Sequence, residues 1–132
     1  MRVIPVGLRG TYAITVKPEH LASQFKDAIL PPVLATPIMV LIMENAALNT
    51  IRDYLEADEA AVGTQVNVKH LAATPVGQRV VAEAEVIEVD GRRIEFKVSA
   101  RDETEEIGTG THQRMVVNVG RLKSRLAAKS RN

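Results

Sequence analysis

The chain is predicted to fold as an α+β domain in which a curved antiparallel sheet wraps around one long central helix. Three observations predict this fold: a six-residue run that is apolar on every side, four alternating segments after it, and an Asp-Gly pair between two of those segments. A helix without a polar face must be covered, and a curved sheet is a surface that can cover it.

The helix is predicted to begin at Thr36 and to end near residues 56–58. Residues 38–43 are all apolar, which is typical of a buried helix. Thr36 has the side chain of a helix cap, and Pro37 suits the first helical position because its missing N–H is not needed there.

Five strands are predicted around this helix. An extended stretch precedes it, and the spacing changes from helical to alternating after Gly63. The Asp90-Gly91 pair predicts a tight hairpin, because glycine adopts the positive φ that such a turn requires. The predicted strands cover residues 12–16, 66–73, 80–86, 94–100 and 106–119.

Size and charge indicate one domain that does not bind nucleic acid. The 132 residues fit a single domain, predicted at 1–120 and followed by a basic tail at 121–132. The tail holds five of the 17 basic residues and no acid, so residues 1–120 carry 12 basic and 16 acidic side chains. A nucleic-acid-binding domain carries its positive charge on a folded face. The tail is interpreted as a solvated end, with contact to an anion as the alternative.

The composition also predicts a cytoplasmic protein without a membrane segment, a disulfide or a metal. The chain has no cysteine, no apolar run long enough to cross a bilayer and no signal-peptide core at its start. Its histidines, His20, His70 and His112, lack the spacing of metal ligands. Because so small a sheet leaves an apolar edge or face, we expect a homodimer, with a dimer of dimers as the larger alternative.

Three polar side chains are not explained by the apolar pattern alone. Glu44 directly follows the apolar run, where a carboxylate is costly to bury without a partner. Alternatively, it lies on a stripe that faces solvent or a second subunit. His70 shares the strand parity of Val66 and Val68, so on that inward face it is either a satisfied core group or a catalyst. Thr36 is either only a helix cap or a hydroxyl at a helix N-terminus, where a developing negative charge is favoured.

Several stretches of the chain resemble the fluoroacetyl-CoA thioesterase family. They are residues 32–37, 63–64, 68–75, 91–93, 98–102 and 106–114. The most specific are His-Leu-Ala-Ala-Thr-Pro from His70 and Ile-Gly-Thr-Gly-Thr-His-Gln-Arg from Ile107, and the similarity runs from about Pro31 to the basic tail. The resemblance implies a hot-dog-fold hydrolase of acyl-CoA thioesters, with no cofactor except the coenzyme A of its substrate.

The resemblance also implies which residues act. The family's threonine, glutamate and histidine match Thr36, Glu44 and His70. The histidine would be general base or acid, the glutamate would orient and polarise it, and the threonine would be the nucleophile or would position water. The family's glycine near the thioester carbonyl matches Gly63, and its arginine near the acyl group and coenzyme matches Arg114. The basic tail becomes a candidate contact for the coenzyme's phosphates.

One departure from the family concerns the acyl group. The fluoroacetate-specific enzyme gates its pocket with a phenylalanine just before the helix, whereas residues 29–32 here are Ile-Leu-Pro-Pro and the nearby phenylalanine is Phe25. The predicted function is therefore hydrolysis of a short or branched acyl-CoA to a free acid and coenzyme A. The alternatives are a non-catalytic acyl-CoA carrier or sensor of the same fold and, third, a dehydratase or hydratase.

Overall fold

The computed structural model describes residues 1–130, so Arg131, part of the predicted basic tail, lies outside the described residues. The strands are β1 (Arg9–Thr15), β2 (Glu59–His70), β3 (Arg79–Asp90), β4 (Arg93–Arg101) and β5 (Glu106–Asn118). The helices are α1 (Ala22–Phe25), α2 (Thr36–Ile51) and α3 (Val119–Lys129), with short 3-10 turns at Pro18–His20 and Arg52–Tyr54. The predicted order of one strand, one long helix and four strands is confirmed.

The five strands form one antiparallel sheet in the order β1-β3-β4-β5-β2. The sheet curls around α2, so the predicted hot-dog arrangement is confirmed. β2 begins at Glu59 and not near residue 66, because pairing with the long strand β5 sets its start: Glu59 already faces Asn118. The tight hairpin at Asp90-Gly91 is also confirmed, with φ of 61° at Gly91.

α2 begins one residue earlier than a threonine cap requires. Ala35 is the N-cap residue, and Thr36 and Pro37 are the first two helical residues. The prediction that Thr36 caps the helix is therefore wrong, because within residues 1–130 no side chain makes a cap hydrogen bond at this end. The helix ends at Ile51, short of the predicted 56–58, where the chain tightens into a 3-10 turn.

α2 is buried because the sheet presents apolar side chains to it. The buried residues of α2 are Met39, Ile42, Met43, Ala46, Ala47, Thr50 and Ile51. Alternate residues of β3 and β4 point inward and belong to the same core: Val80, Ala82, Ala84, Val86, Ile94, Phe96, Val98 and Ala100. Each large apolar side chain that is fully buried contributes about 1.5–3 kcal/mol, so this interface supplies most of the apolar stabilisation.

Two glycines allow the helix to approach the sheet closely. A Cβ on Gly10 in β1 would lie 2.8 Å from Thr50 Cα, and a Cβ on Gly108 in β5 would lie 2.5 Å from Met39 Sδ. The obstacle at Gly10 is helix backbone, which cannot move aside as a flexible side chain can.

The basic end of the chain is helical. Asn118 caps α3 by accepting a hydrogen bond from the Arg121 backbone N–H at 3.0 Å, and no residue of Val119–Lys129 is buried. The sequence shows this segment only as a charged tail because a helix without a buried face has no core to mark it. Among residues 1–130 no helix has both the length and the apolar character to cross a bilayer. The cytoplasmic location stays a prediction.

We expect Gly10→Ala to lower the free energy of unfolding by about 1–3 kcal/mol, because the added methyl overpacks against the backbone of α2. The measurement is the midpoint of urea denaturation, compared between variants whose unfolding free energy has the same dependence on urea concentration. Thr11→Ala, at an exposed position of the same strand, is the matched control and should change the stability by less than about 0.5 kcal/mol. Equal small effects of both substitutions would contradict the close approach of α2 to β1.

Candidate active site

The first residue of α2 meets the last residue of β2. Thr36 Oγ1 lies 2.8 Å from His70 Nδ1. The hydroxyl donates to Nδ1 when the imidazole proton resides on Nε2. In that arrangement the histidine can take a proton from the hydroxyl, or from a water molecule that the hydroxyl positions. The pair also lies at a helix N-terminus, where the helix dipole favours negative charge.

The surroundings of His70 favour the neutral imidazole. Burial lowers the pKa of His70 from its ordinary value of 6.5, and the Ala72 backbone opposes part of this effect. Nε2 is buried and lacks a hydrogen-bond partner among residues 1–130. A lowered pKa keeps the ring unprotonated at pH 7, which is the form that accepts a proton.

Glu44, Gly63 and Arg114 form a second cluster farther along the same helix and strand. Glu44 Oε2 lies 3.9 Å from Arg114 Nη1, and Gly63 is the register partner of Arg114 across β2 and β5. A Cβ on Gly63 would lie 2.9 Å from Glu44 Oε2 and 3.7 Å from Arg114 Nη1. The glycine therefore keeps open the space that its two polar neighbours border.

The two clusters do not meet within one chain. No hydrogen bond or ion pair joins Glu44 to Thr36 or His70 in the part of the chain that the structure describes. Eight residues of α-helix separate Thr36 from Glu44 by about 12 Å. Seven residues of strand separate Gly63 from His70 by about 23 Å. The predicted role of Glu44 in orienting His70 thus requires contacts that a single chain does not make.

Arg114 is held in a buried position. Its side chain is 10% exposed, Nη2 donates to the Ala61 carbonyl oxygen at 2.7 Å, and Nε is buried without a hydrogen-bond partner among the described residues. Burial lowers the pKa of the guanidinium, and the nearby Glu44 carboxylate opposes this change. The buried guanidinium thus faces Glu44 while the backbone of Ala61 holds its other nitrogen.

His112 is a member of this cluster that the sequence reasoning missed. It is 1% exposed, and its Nε2 lies 3.1 Å from Arg114 Nη1. Burial lowers the pKa of His112; the Arg114 cation acts in the same direction, and the Gln65 carbonyl and Glu44 oppose it. The available signal was its spacing: His112 and Arg114 are two residues apart in an alternating strand, so they share the inward face.

An arginine-lined cleft of about 310 Å³ lies beside α3. Arg92, Arg121 and Arg125 line it together with Val116 and Leu122, and none of its described lining residues is acidic. Guanidinium groups bind phosphate in a bidentate manner, so the cleft has the chemistry of an anion site. The segment before α2 is open: Phe25 is 51% exposed and Ile29 is 86% exposed.

Comparison with known proteins places the whole chain among thioesterases. The model of a family described as "FlK: Fluoroacetyl-CoA-specific thioesterase" matches residues 16–120. The chain is 39% identical over 130 residues to the fluoroacetyl-CoA thioesterase of Streptantibioticus cattleyicolor. The aligned residues cover 95% of this chain and 94% of that protein.

Solved structures agree with the sequence matches. A variant of the fluoroacetyl-CoA thioesterase FlK in complex with acetyl-CoA is 36% identical, with a TM-score of 0.91, covering 96% of this chain and 99% of that one. A hot-dog-like protein from Thermanaerovibrio acidaminovorans is 22% identical, with a TM-score of 0.87 over 98% of this chain and 95% of its own, and shows the shared fold. The chain belongs to the fluoroacetyl-CoA-specific thioesterase family.

Proposed function

We propose that this protein hydrolyses the thioester of a short or branched acyl-CoA to a free acid and coenzyme A. The observation that carries the proposal is the 2.8 Å contact between Thr36 Oγ1 and His70 Nδ1 in a chain of this family. A hydroxyl joined to a neutral histidine at a helix N-terminus is suited to acyl transfer, because it combines a proton acceptor with a favourable field for negative charge. The relative from Streptantibioticus cattleyicolor is named for this chemistry on fluoroacetyl-CoA.

In the proposed reaction water replaces the thiolate on the acyl carbon. The C–S bond breaks, a C–O bond forms, and the proton lost by the attacking oxygen returns to the sulfur. His70 takes that proton from water that Thr36 positions, or from Thr36 itself, and delivers it to the leaving thiolate. Where Thr36 is the nucleophile, water then cleaves the Thr36 ester, which releases the free acid and returns a proton to Thr36 Oγ1. The Gly63 backbone N–H donates to the carbonyl oxygen as it gains negative charge, and Arg114 contacts the acyl end or the coenzyme.

We further propose that a homodimer completes each site, since one chain holds the groups in two separate clusters. β2 is an edge strand and its residues 63–67 are exposed. Val66 is 41% exposed although its register partner His112 is 1% exposed, so the inner face of the sheet is uncovered there. An uncovered edge strand of this kind pairs readily with a second copy.

Antiparallel pairing of two β2 strands supports a shared site. A two-fold axis at Asn67 pairs Val66 of one copy with Val68 of the other, and because Thr64 is skipped at the irregularity in β2, it also sets His70 of one copy opposite Gly63 of the other. Each site then takes Thr36 and His70 from one subunit, and Glu44, Gly63 and Arg114 from the second. In this arrangement Glu44 acts on the reacting groups from across the interface.

The proposed acyl group follows from the open segment before α2. Phe25 and Ile29 are exposed in the single chain, and residues 29–32 hold no aromatic side chain that could gate the site, so the narrow selection of fluoroacetate is not expected here. A short or branched acyl chain fits an ungated site better, because apolar walls discriminate weakly against an added methyl group.

Thiol release from a panel of acyl-CoAs tests the activity. We expect the wild type to release thiol, and we expect Thr36→Ala and His70→Ala to lower kcat/KM by about 10²–10⁴-fold. His20→Ala, a histidine outside both clusters, is the matched control and should leave the rate unchanged. Absent release, or full rates in both variants, would contradict the assignment. Tight binding without turnover would support a carrier, and a product that is heavier by water but still a thioester would support a hydratase.

Mixed dimers test the shared site. In a dimer of one Thr36→Ala subunit and one Glu44→Gln subunit, purified through two different tags, one of the two sites stays intact. We expect about half of the wild-type activity per dimer, whereas each variant alone is inactive. A mixed dimer of Thr36→Ala and His70→Ala is the control, because both substitutions fall in the same half-site and neither site is restored. Equal inactivity of both mixtures, or a monomer in size-exclusion chromatography, rules out the shared site.

The rate should depend on pH through His70. Its pKa lies below 6.5 because burial favours the neutral ring. Protonation removes the base, so kcat/KM should be level above pH 6.5 and should fall at lower pH, with a midpoint below 6.5. The measurement pairs the pH–rate profile with NMR titration of the His70 ring, assigned from the spectrum of His70→Ala. A kinetic midpoint above 6.5, or one that differs from the ring titration, would count against His70 as the base.

A further inference from the structure

His112 is confined on both sides in the sheet. Its register partners are Val66 on β2 and Phe96 on β4. The imidazole stacks on Phe96 with ring centroids 6.0 Å apart and planes inclined by 24°. Since the side chain is also 1% exposed, the ring is restricted to one orientation.

The two ring nitrogens of His112 face groups of opposite kind. Nδ1 lies 2.8 Å from the Gln65 carbonyl oxygen, which can only accept, so Nδ1 carries the proton. Nε2 lies 3.1 Å from Arg114 Nη1, which can only donate, so Nε2 accepts. The hydrogen bonds therefore define His112 as a neutral imidazole with its proton on Nδ1.

The direction of the Arg114 guanidinium depends on that acceptor. Two hydrogen bonds fix it, from Nη1 to His112 Nε2 at 3.1 Å and from Nη2 to the Ala61 carbonyl oxygen at 2.7 Å. Glu44 Oε2 is 3.9 Å from Nη1, which is too long for a hydrogen bond. The histidine, and not the carboxylate, therefore sets where Nη1 points.

The same imidazole borders the open space at Gly63. A Cβ on that glycine would lie 3.4 Å from His112 Cε1 and 3.7 Å from Arg114 Nη1. Gln65, the other partner of His112, follows the irregularity in the β2–β5 register at Thr64. His112 thus links the backbone beside Gly63 to the guanidinium that faces it.

We propose that His112 is a positioning residue for thioester hydrolysis, a neutral acceptor that aims Arg114 Nη1 at the substrate held beside Gly63. The inference rests on the proposed function, in which Gly63 and Arg114 contact the acyl-CoA. It concerns substrate binding, so its effect reaches the reaction only through Arg114.

The proposed role of His112 requires that its imidazole be neutral. A protonated His112 would lose its acceptor and place a second cation against the guanidinium. The charged groups that face the ring are Arg114 on β5 and Glu44 on α2. The neighbours on β2 and β4, Val66 and Phe96, carry no charge. Of the charged groups within residues 1–130 that face the ring, Glu44 alone opposes the repulsion, and it is partly exposed to water.

Two substitutions separate this role from simple packing. His112→Gln keeps an acceptor near the position of Nε2, whereas His112→Asn keeps a donor near Nδ1 and loses the acceptor. We expect kcat/KM to fall about 100-fold in His112→Asn, as for a misplaced binding group, and much less in His112→Gln. In an Arg114→Gln background the same two substitutions should have little further effect, because groups that act as one unit are not additive.

A purely structural role predicts a different result. The losses would then follow the thermal stability of each variant and would add fully to the loss in Arg114→Gln. That outcome, or equal rates in His112→Asn and His112→Gln, overturns the inference.

NMR of the full chain without substrate provides a readout that does not need turnover. The ¹⁵N spectrum should show the His112 proton on Nδ1 at pH 7, and the Arg114 side-chain signals should shift in His112→Asn but not in His112→Gln. A proton on Nε2, or Arg114 signals unaffected by loss of the acceptor, overturns the inference whatever the assay shows. Absent hydrolysis in the wild type contradicts the proposed function separately.

Discussion

Burial of α2 is the constraint on which the rest of this molecule depends. Residues 38–43 are all apolar, so this part of the helix needs cover and the sheet curls around it. Close contact is possible because Gly10 and Gly108 carry no side chain where the helix backbone and Met39 approach. The cover is incomplete, since Leu41 of α2 is 49% exposed and Val66 of the edge strand β2 is 41% exposed. Apolar surface left at that edge favours a second copy of the chain as its cover.

The same burial adjusts the chemistry of the polar groups around the helix. Removal from water lowers the pKa of both His70 and His112, so both imidazoles are neutral near pH 7. Their partners then give them different roles. His70 faces a hydroxyl that can donate a proton, whereas His112 faces a guanidinium that can only donate a hydrogen bond. In the proposed reaction, one physical effect thereby serves proton transfer at one cluster and substrate positioning at the other.

Much of the fold was predictable because periodicity records burial directly. The change from an all-apolar helix to alternating strands marks which residues face the core, and Asp90-Gly91 marks a turn that demands positive φ. Features that depend on strand pairing or on packing between distant segments were harder to predict from the sequence. β2 starts at Glu59 because β5 extends to meet it, and α3 has no buried residue to mark it. The residue type of Thr36 suits a helix cap as well as a catalytic hydroxyl, yet the cap is Ala35.

The sequence by itself determined a buried central helix, an antiparallel sheet around it, the family to which the chain is similar and the candidate site residues. Only the tertiary structure decided how those residues are grouped. It joins Thr36 to His70 and sets Glu44 beside Gly63 and Arg114, with His112 as an added member. Distances across a fold depend on strand register and helix placement, and a pattern of residue types along the chain contains neither. The eight-residue helical spacing of Thr36 and Glu44, about 12 Å, can be read from the chain, whereas the strands that lie beside each of these residues cannot.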